Sequence, residues 1–198
     1  MGKYSRDELK AILESHAQWL RGEGGKQVDM AGADLRDGDF IRADLEKANL
    51  AGADLRGGDL TLANLKVADL SGANLEGANL SNANLEGAFL EDAILRKAVL
   101  HKASLEYTNL KGADLAGAIL REAYISYADF SGANLSLADL SKLRVNRANF
   151  TGANFSGADL NGAALYSANL TGANLEGANL KHTYIKNSIL KDTGISRH

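Results

Sequence analysis

The sequence predicts a repeat solenoid, one elongated domain wound from a short unit and fronted by a single helix. Three observations predict it. From Met30 to Leu190 nearly every fifth residue is large and apolar, and no insertion or deletion breaks the count. Neither ordinary period accounts for this, because a helix repeats about every 3.6 residues and a strand about every 2, so a five-residue repeat drifts around a helix without marking one face. Gly, Asn and Asp also recur at turn-forming positions, with no heptads and no breaks for inter-helix loops, which argues against a helical bundle.

The helix comes first. Residues 5–25 read SRDELKAILESHAQWLRGEGG, with Ser5 and Glu8 at capping-box spacing. Leu9, Ile12, Leu13, Trp19 and Leu20 follow at helical intervals, with His16 in the same stripe, and Gly22, Gly24 and Gly25 supply the stop. One amphipathic helix of about four turns is expected. Residues 1–27 are assigned to this helix and its linker, with Trp19 and Leu20 covering the first coil of the solenoid.

The repeat is assigned to residues 28–192 and a tail to 193–198. Within each pentad a small residue, usually Ala, stands two places before the large one, and Asp or Asn most often lies between them, as at Asp34, Asn49, Asp54, Asn64 and Asp69. The phrase A-[DN]-L-x-x, seen as ADLRG at 53–57 and ANLEG at 73–77, 83–87 and 173–177, resembles the pentapeptide repeat family over about five-sixths of the chain. That resemblance implies an all-β solenoid, a right-handed quadrilateral β-helix in which each pentad makes one side and four make a coil, about eight coils in all. It also implies that the large and small residues point inward, so that Leu55, Leu75, Leu95 and Leu115 belong to the core.

Glycine gives an independent sign of a twenty-residue period. The last pentad position is Gly at 32, 52, 72, 112, 132, 152 and 172, and again at 57, 77, 117, 157 and 177, whereas the other two sides hold only Gly162 and Gly87. The expectation is that two of the four corners need a positive φ, which Gly adopts at least cost. Coils stacked at about 4.8 Å make a rod of roughly 40 Å. Its narrow interior should share volume between the two inward positions: Gly38 precedes bulky Phe40, and Leu143 precedes the smaller Val145. Phe130 should lie beneath Phe150, with Phe155 on the adjacent side.

At the far end the small inward positions become Thr183, Ser188 and Thr193. This predicts either fraying or cover by a second subunit, a homodimer through an uncapped C-terminal coil. Well-studied members of the family dimerise through a C-terminal element, with extra structure that has no counterpart here.

Composition narrows the function. The chain has 198 residues, which suits one domain. Its 22 basic and 25 acidic residues give a net charge of −3, with no strong attraction to nucleic acid or anionic membrane. Cysteine is absent, which excludes disulfides, thiolate metal ligands and a cysteine nucleophile. No apolar run approaches membrane-spanning length, and MGKYSRDELK lacks the apolar stretch of a signal peptide, so a cytoplasmic protein without membrane association is expected. His16, His101, His182 and His198 have no metal-ligand spacing, the Asp residues alternate with Asn as turn-forming residues do, and no phosphate loop occurs. No catalytic residue, cofactor or metal is expected, and the protein is read as a non-enzyme.

One side of the square differs from the rest. Tyr107, Tyr124, Tyr127, Tyr166 and Tyr184 fall on the side centred on residues 45, 65 and so on to 185, joined by Arg144 and Arg147. Tyr and Arg are enriched at interaction hot spots, so this side is the candidate partner-binding face of a rod-like scaffold for an unidentified protein; stacked ladders that merely stiffen the rod are the structural alternative. The family resemblance implies a second function, because quinolone-resistance members act as duplex-DNA mimics that bind DNA gyrase. Such a mimic needs a strongly acidic rod, and here the charge by side is only −4, −2, 0 and +1, the last on the tyrosine side. Direct nucleic-acid binding is disfavoured further, since no basic groove accompanies the tyrosines.

Overall fold

The computed structural model describes residues 4–193, so of the expected tail only Thr193 is described, and His198 lies outside the described residues. Helix α1 spans Arg6–Leu20. The Ser5 hydroxyl accepts the Glu8 N–H at 3.2 Å and the Glu8 carboxylate accepts the Ser5 N–H at 2.7 Å, which closes a capping box at its start. Leu9, Ile12 and Leu13 pack against the core of the solenoid. His16 makes the polar connection: its Nδ1 accepts the Val28 N–H at 3.0 Å, which leaves Nε2 to donate to the Glu46 carbonyl at 3.0 Å. Trp19 and Leu20 are half-buried, with the Trp19 ring stacked 5.6 Å from His16. No helix among the described residues is long and apolar enough to cross a membrane.

Beyond Val28 the chain winds upward with parallel bridges between residues twenty apart, as in Asp34↔Asp54, Asp59↔Asn79 and Asn154↔Asn174, so four pentads close each coil. One pentad, 73–77, shows why the repeat has these residue types. Ala73 N–H donates to Leu70 O at 3.0 Å and closes a turn. Asn74 N–H donates down to Ala53 O at 2.8 Å, while Leu75 and Gly77 donate up to Ile94 O at 2.7 Å and Arg96 O at 2.9 Å. The remaining donor, Glu76 N–H, is accepted by the Asn74 side chain at 3.1 Å. Every N–H of the pentad has a partner, and the Asp/Asn position exists to satisfy the one that neighbouring coils do not reach.

The same side chains form ladders between coils. Asn154 donates to Asn134 at 3.3 Å and Asn174 to Asn154 at 3.2 Å, each bond running from the later coil to the earlier.

The expectation for glycine is corrected. Positive φ occurs at the last position of pentads on all four sides, with Asp37, Arg42, Lys47 and Tyr107 at φ of 55°, 57°, 60° and 59° beside Gly32 at 64°. Stacking imposes the left-handed corner everywhere, at a backbone cost of about 1 kcal/mol for a non-glycine residue. Nothing in the structure explains why Gly is concentrated on two sides.

Leu55, Leu75, Leu95 and Leu115 are fully buried, as are Phe130, Phe150 and Phe155. Phe150 lies 5.2 Å from Phe130 in the next coil and 5.2 Å from Phe155, edge-on to the latter. Gly38 makes room for a ring, because a Cβ there would lie 2.4 Å from Phe40 Cε2. The inward hydroxyls are paired: Thr108 donates to Leu85 O at 2.8 Å and Thr183 to Leu160 O at 2.8 Å, with Ser188 bonded in the same way to Leu165 O. Thr183 and Ser188 therefore continue the small inward position with a satisfied polar atom.

On one side the regular turns give way to true strands. β1 (Tyr124–Ser126), β2 (Arg144–Asn146) and β3 (Ala164–Tyr166) form a parallel three-stranded sheet in register, Ile125 beneath Val145 beneath Leu165.

Candidate functional site

The strands form where the Asp/Asn position is empty in successive coils. Ser104, Tyr124, Arg144, Ala164 and Tyr184 occupy that column. Without an Asp or Asn side chain to accept the next N–H the turn loses a support. It opens at Tyr124, Arg144 and Ala164, each with such a coil on both sides, and survives at Ser104 and Tyr184, where Thr108 N–H still donates to Leu105 O at 3.3 Å and Ser188 N–H to Ile185 O at 3.1 Å. Isolated losses such as Ile94 keep their turn, with Ala98 N–H still bonded to Leu95 O at 3.0 Å, because ordinary coils lie above and below. The tyrosine side is thus the side that carries the three-stranded sheet.

Three columns of outward side chains cross it. Tyr107 and Tyr127 stack in parallel at the corner, 5.1 Å apart, and Arg147 continues the column with its guanidinium 5.8 Å over the Tyr127 ring and Nη1 donating to Tyr127 Oη at 3.2 Å. In the second column Arg144 lies 5.2 Å over the Tyr124 ring, then Ala164 and Tyr184 follow. The third holds Ser126, Asn146 and Tyr166. The five tyrosines are 41–60% exposed despite this stacking.

Between the columns is a recess of about 330 Å³ lined by Tyr124, Ser126, Arg144, Val145, Asn146, Ala164 and Tyr166. Val145 is smaller than the usual Leu and Ala164 is smaller than its neighbours in the column, which together open the floor. Ser126, Val145, Asn146 and Ala164 were not legible as site residues from residue type alone. The signal that finds them is the run of five coils without Asp or Asn at one repeat position.

The electrostatics also differ from the rest of the rod. Arg36 and Arg56 make bidentate contacts with Asp34 and Asp54 at 2.6–2.8 Å, and Arg96 and Arg121 pair with Asp114 and Asp139. The Arg56 side chain holds the Asp54 carboxyl below its ordinary range. By contrast the stacked pentads 123–127, 143–147, 163–167 and 183–187 contain no Asp or Glu, only Arg144, Arg147 and Lys186 among charged residues. Neither Arg144 nor Arg147 has a carboxylate within ion-pair distance among the described residues. Exposed rings and guanidiniums without carboxylate partners have the chemistry to accept planar, apolar and anionic groups.

A family model described as pentapeptide repeats, in 8 copies, matches residues 29–66, 73–106, 103–141 and 148–187. The chain belongs to the pentapeptide repeat family. As a pentapeptide repeat protein it takes the right-handed quadrilateral β-helix that the family match and a solved structure of the same fold imply. One relative is HetL of the cyanobacterium Nostoc, described as involved in heterocyst differentiation regulation; it is 34% identical, over 85% of this chain and 78% of its own, with a TM-score of 0.47. Rfr23 of the cyanobacterium Cyanothece is 30% identical over 61% of this chain and 90% of its own, with a TM-score of 0.46. Full-length QnrB1, a plasmid-mediated fluoroquinolone resistance protein, is 18% identical over 79% of this chain and 91% of its own, with a TM-score of 0.57, a likeness of fold alone. No curated protein matches the chain.

Proposed function

We propose that this pentapeptide repeat protein is a non-enzymatic scaffold that engages a macromolecular partner through the face of Tyr107, Tyr124, Tyr127, Arg144, Arg147, Tyr166 and Tyr184. The observation that carries the reading is the stack of exposed rings, acid-free from Ala123 upward on this side, with two guanidiniums that have no carboxylate partner among the described residues. The fold does not require these rings. Tyr107 and Tyr127 occupy left-handed corners, at φ of 59°, where Gly would carry less backbone cost.

The test is capture of binding proteins from a lysate of the source cells by immobilised protein. The triple variant Tyr124→Ser, Tyr127→Ser, Arg147→Ser should keep its circular dichroism and lose the captured band. Glu76→Ser with Arg96→Ser, on another face, should retain it. Equal capture by all three proteins refutes the face.

A duplex-DNA mimic directed at DNA gyrase is the lesser reading. The acidic column that would imitate phosphates has Asp34 and Asp54 already bridged by Arg36 and Arg56. Inhibition of gyrase supercoiling at low micromolar protein, relieved by excess DNA, would favour the mimic over the scaffold. Self-association is the second part of the scaffold reading. Ala178, Leu180, Ile185 and Leu190 are only half-buried, and a second copy stacked on that coil would cover them. Sedimentation equilibrium should show a dimer that Leu180→Lys dissociates; a monomer at high micromolar concentration refutes it.

A further inference from the structure

We infer that the ligand of this face is an acidic linear peptide carrying an apolar side chain between its carboxylates. The inference rests on the scaffold reading above and specifies the chemistry of its partner. Arg144 and Arg147 belong to one coil and stand three residues apart, each lying on a tyrosine ring from the coil before. A guanidinium stacked in this way keeps most of its N–H donors available for a carboxylate, Arg147 spending one on Tyr127 Oη, and its orientation is set before binding. The four stacked pentads here contain no Asp or Glu, so carboxylates approaching these coils meet no acidic side chain within them; the same side carries Glu106 in the coil before. Beside the guanidiniums the recess offers Val145 and Ala164 as an apolar floor, with Tyr124 and Tyr166 as walls on opposite diagonals. Its volume of about 330 Å³ accepts one leucine- or phenylalanine-sized side chain with room for its backbone. Ser126 and Asn146 on the rim supply hydrogen-bonding groups for that backbone.

Two committed cations and Lys186 suit a short anionic segment. They do not form the continuous positive track that follows a nucleic-acid backbone with one charge per nucleotide.

The test is fluorescence anisotropy on the full chain with three labelled probes: the peptide Asp-Glu-Leu-Asp-Glu-Leu-Asp-Glu, its Asn/Gln isostere, and single-stranded oligothymidine. The acidic peptide should bind, with affinity falling as salt rises, and the isostere should bind about tenfold more weakly or worse. Arg144→Gln with Arg147→Gln should weaken the acidic peptide about tenfold. Ala164→Phe should also weaken it by filling the recess. Phe89 and Ile94 occupy the same repeat position in other coils, so this variant is compatible with the fold and should melt like the parent. Equal binding of the isostere, an unaffected double arginine variant, or tighter binding of oligothymidine overturns the inference, the last in favour of a nucleic acid. Lysate capture separates the two levels of the argument. Capture lost in the Tyr124/Tyr127/Arg147 variant but not displaced by the acidic peptide refutes the peptide chemistry and leaves the face standing. Capture unchanged by that variant refutes both.

Discussion

The sharing of interior volume between Gly38 and Phe40 can be tested by a double-mutant cycle. In Gly38→Ala the new Cβ would lie 2.4 Å from Phe40 Cε2 and 3.2 Å from Cδ2. Comfortable carbon contacts are about 3.5–4.0 Å, so the buried ring must retreat by roughly 1 Å against its packed neighbours. Overpacking of this kind costs about 1–3 kcal/mol, offset by about 0.4–1 kcal/mol because Ala restricts the unfolded chain. Gly38 is outside the positive-φ corners, so the substitution carries no backbone strain of its own. The expected net loss is about 1–2 kcal/mol. Phe40→Leu alone should lose about 1–2 kcal/mol by leaving a void beside the missing Cβ. The double variant restores the Ala/Leu pair found at Ala48 and Leu50, and should regain parental stability, a coupling of about 2–4 kcal/mol. Urea denaturation of the four proteins, at constant m value, measures it. Gly58→Ala is the control, since Gly58 precedes Leu60 and its Cβ would meet only Leu55 O, at 3.1 Å, and Gly38 backbone. Additivity of the two single effects to within about 0.5 kcal/mol would refute shared volume.

Other tests follow from the same structure. Leu115→Asp places a carboxylate in the centre of the core, where Leu115 is 0% exposed, and should cost several kcal/mol, on the order of 3–5; an unchanged melting temperature contradicts the inward assignment. Thr108→Val should cost only about 1 kcal/mol, because Leu85 O keeps the Ala88 N–H at 2.9 Å when the hydroxyl is lost; a loss several times larger would refute this. For His16, burial lowers the folded-state pKa, opposed by the bond to the Glu46 carbonyl and by the charges of Asp44 and Glu46. Below about pH 6.5 the unfolded state then binds more protons than the folded one, so stability rises with pH and the helix loosens as pH falls through that value towards the folded pKa. Trp19, the sole tryptophan, stacks on His16, and its fluorescence should report the loosening, with the slope absent in His16→Gln.

Much of this architecture was legible because one backbone device recurs. Asp and Asn at 34, 49, 54, 64 and 69 mark the position whose side chain must accept a neighbouring N–H, and Leu or Phe marks the inward direction. The left-handed corners were only half legible. Gly reveals such a corner where it occurs, whereas Arg42, Lys47 and Tyr107 are forced into the same conformation by the coils around them. His16 was visible in the apolar stripe of its helix, but its partners are backbone groups at Val28 and Glu46, and backbone groups leave no trace in residue type. The tyrosines and arginines could be grouped from a count modulo twenty. The recess beside them depends on the missing Asp/Asn at 124, 144 and 164, and so on an absence spread over three coils.

The bridges between residues twenty apart give every side chain a compass bearing. Adding or deleting one pentad would preserve the core and the bonding of all five N–H groups of a pentad, yet turn everything downstream by a quarter revolution. A pentad inserted between Tyr127 and Arg144 would leave Tyr107, Tyr124 and Tyr127 in place and swing Arg144, Arg147, Tyr166 and Tyr184 onto the neighbouring wall. The rod would still fold while its surface message was cut in two. Length in this protein can therefore drift freely only in whole coils, and a mismatch in phase is a mutation that stability measurements would not detect.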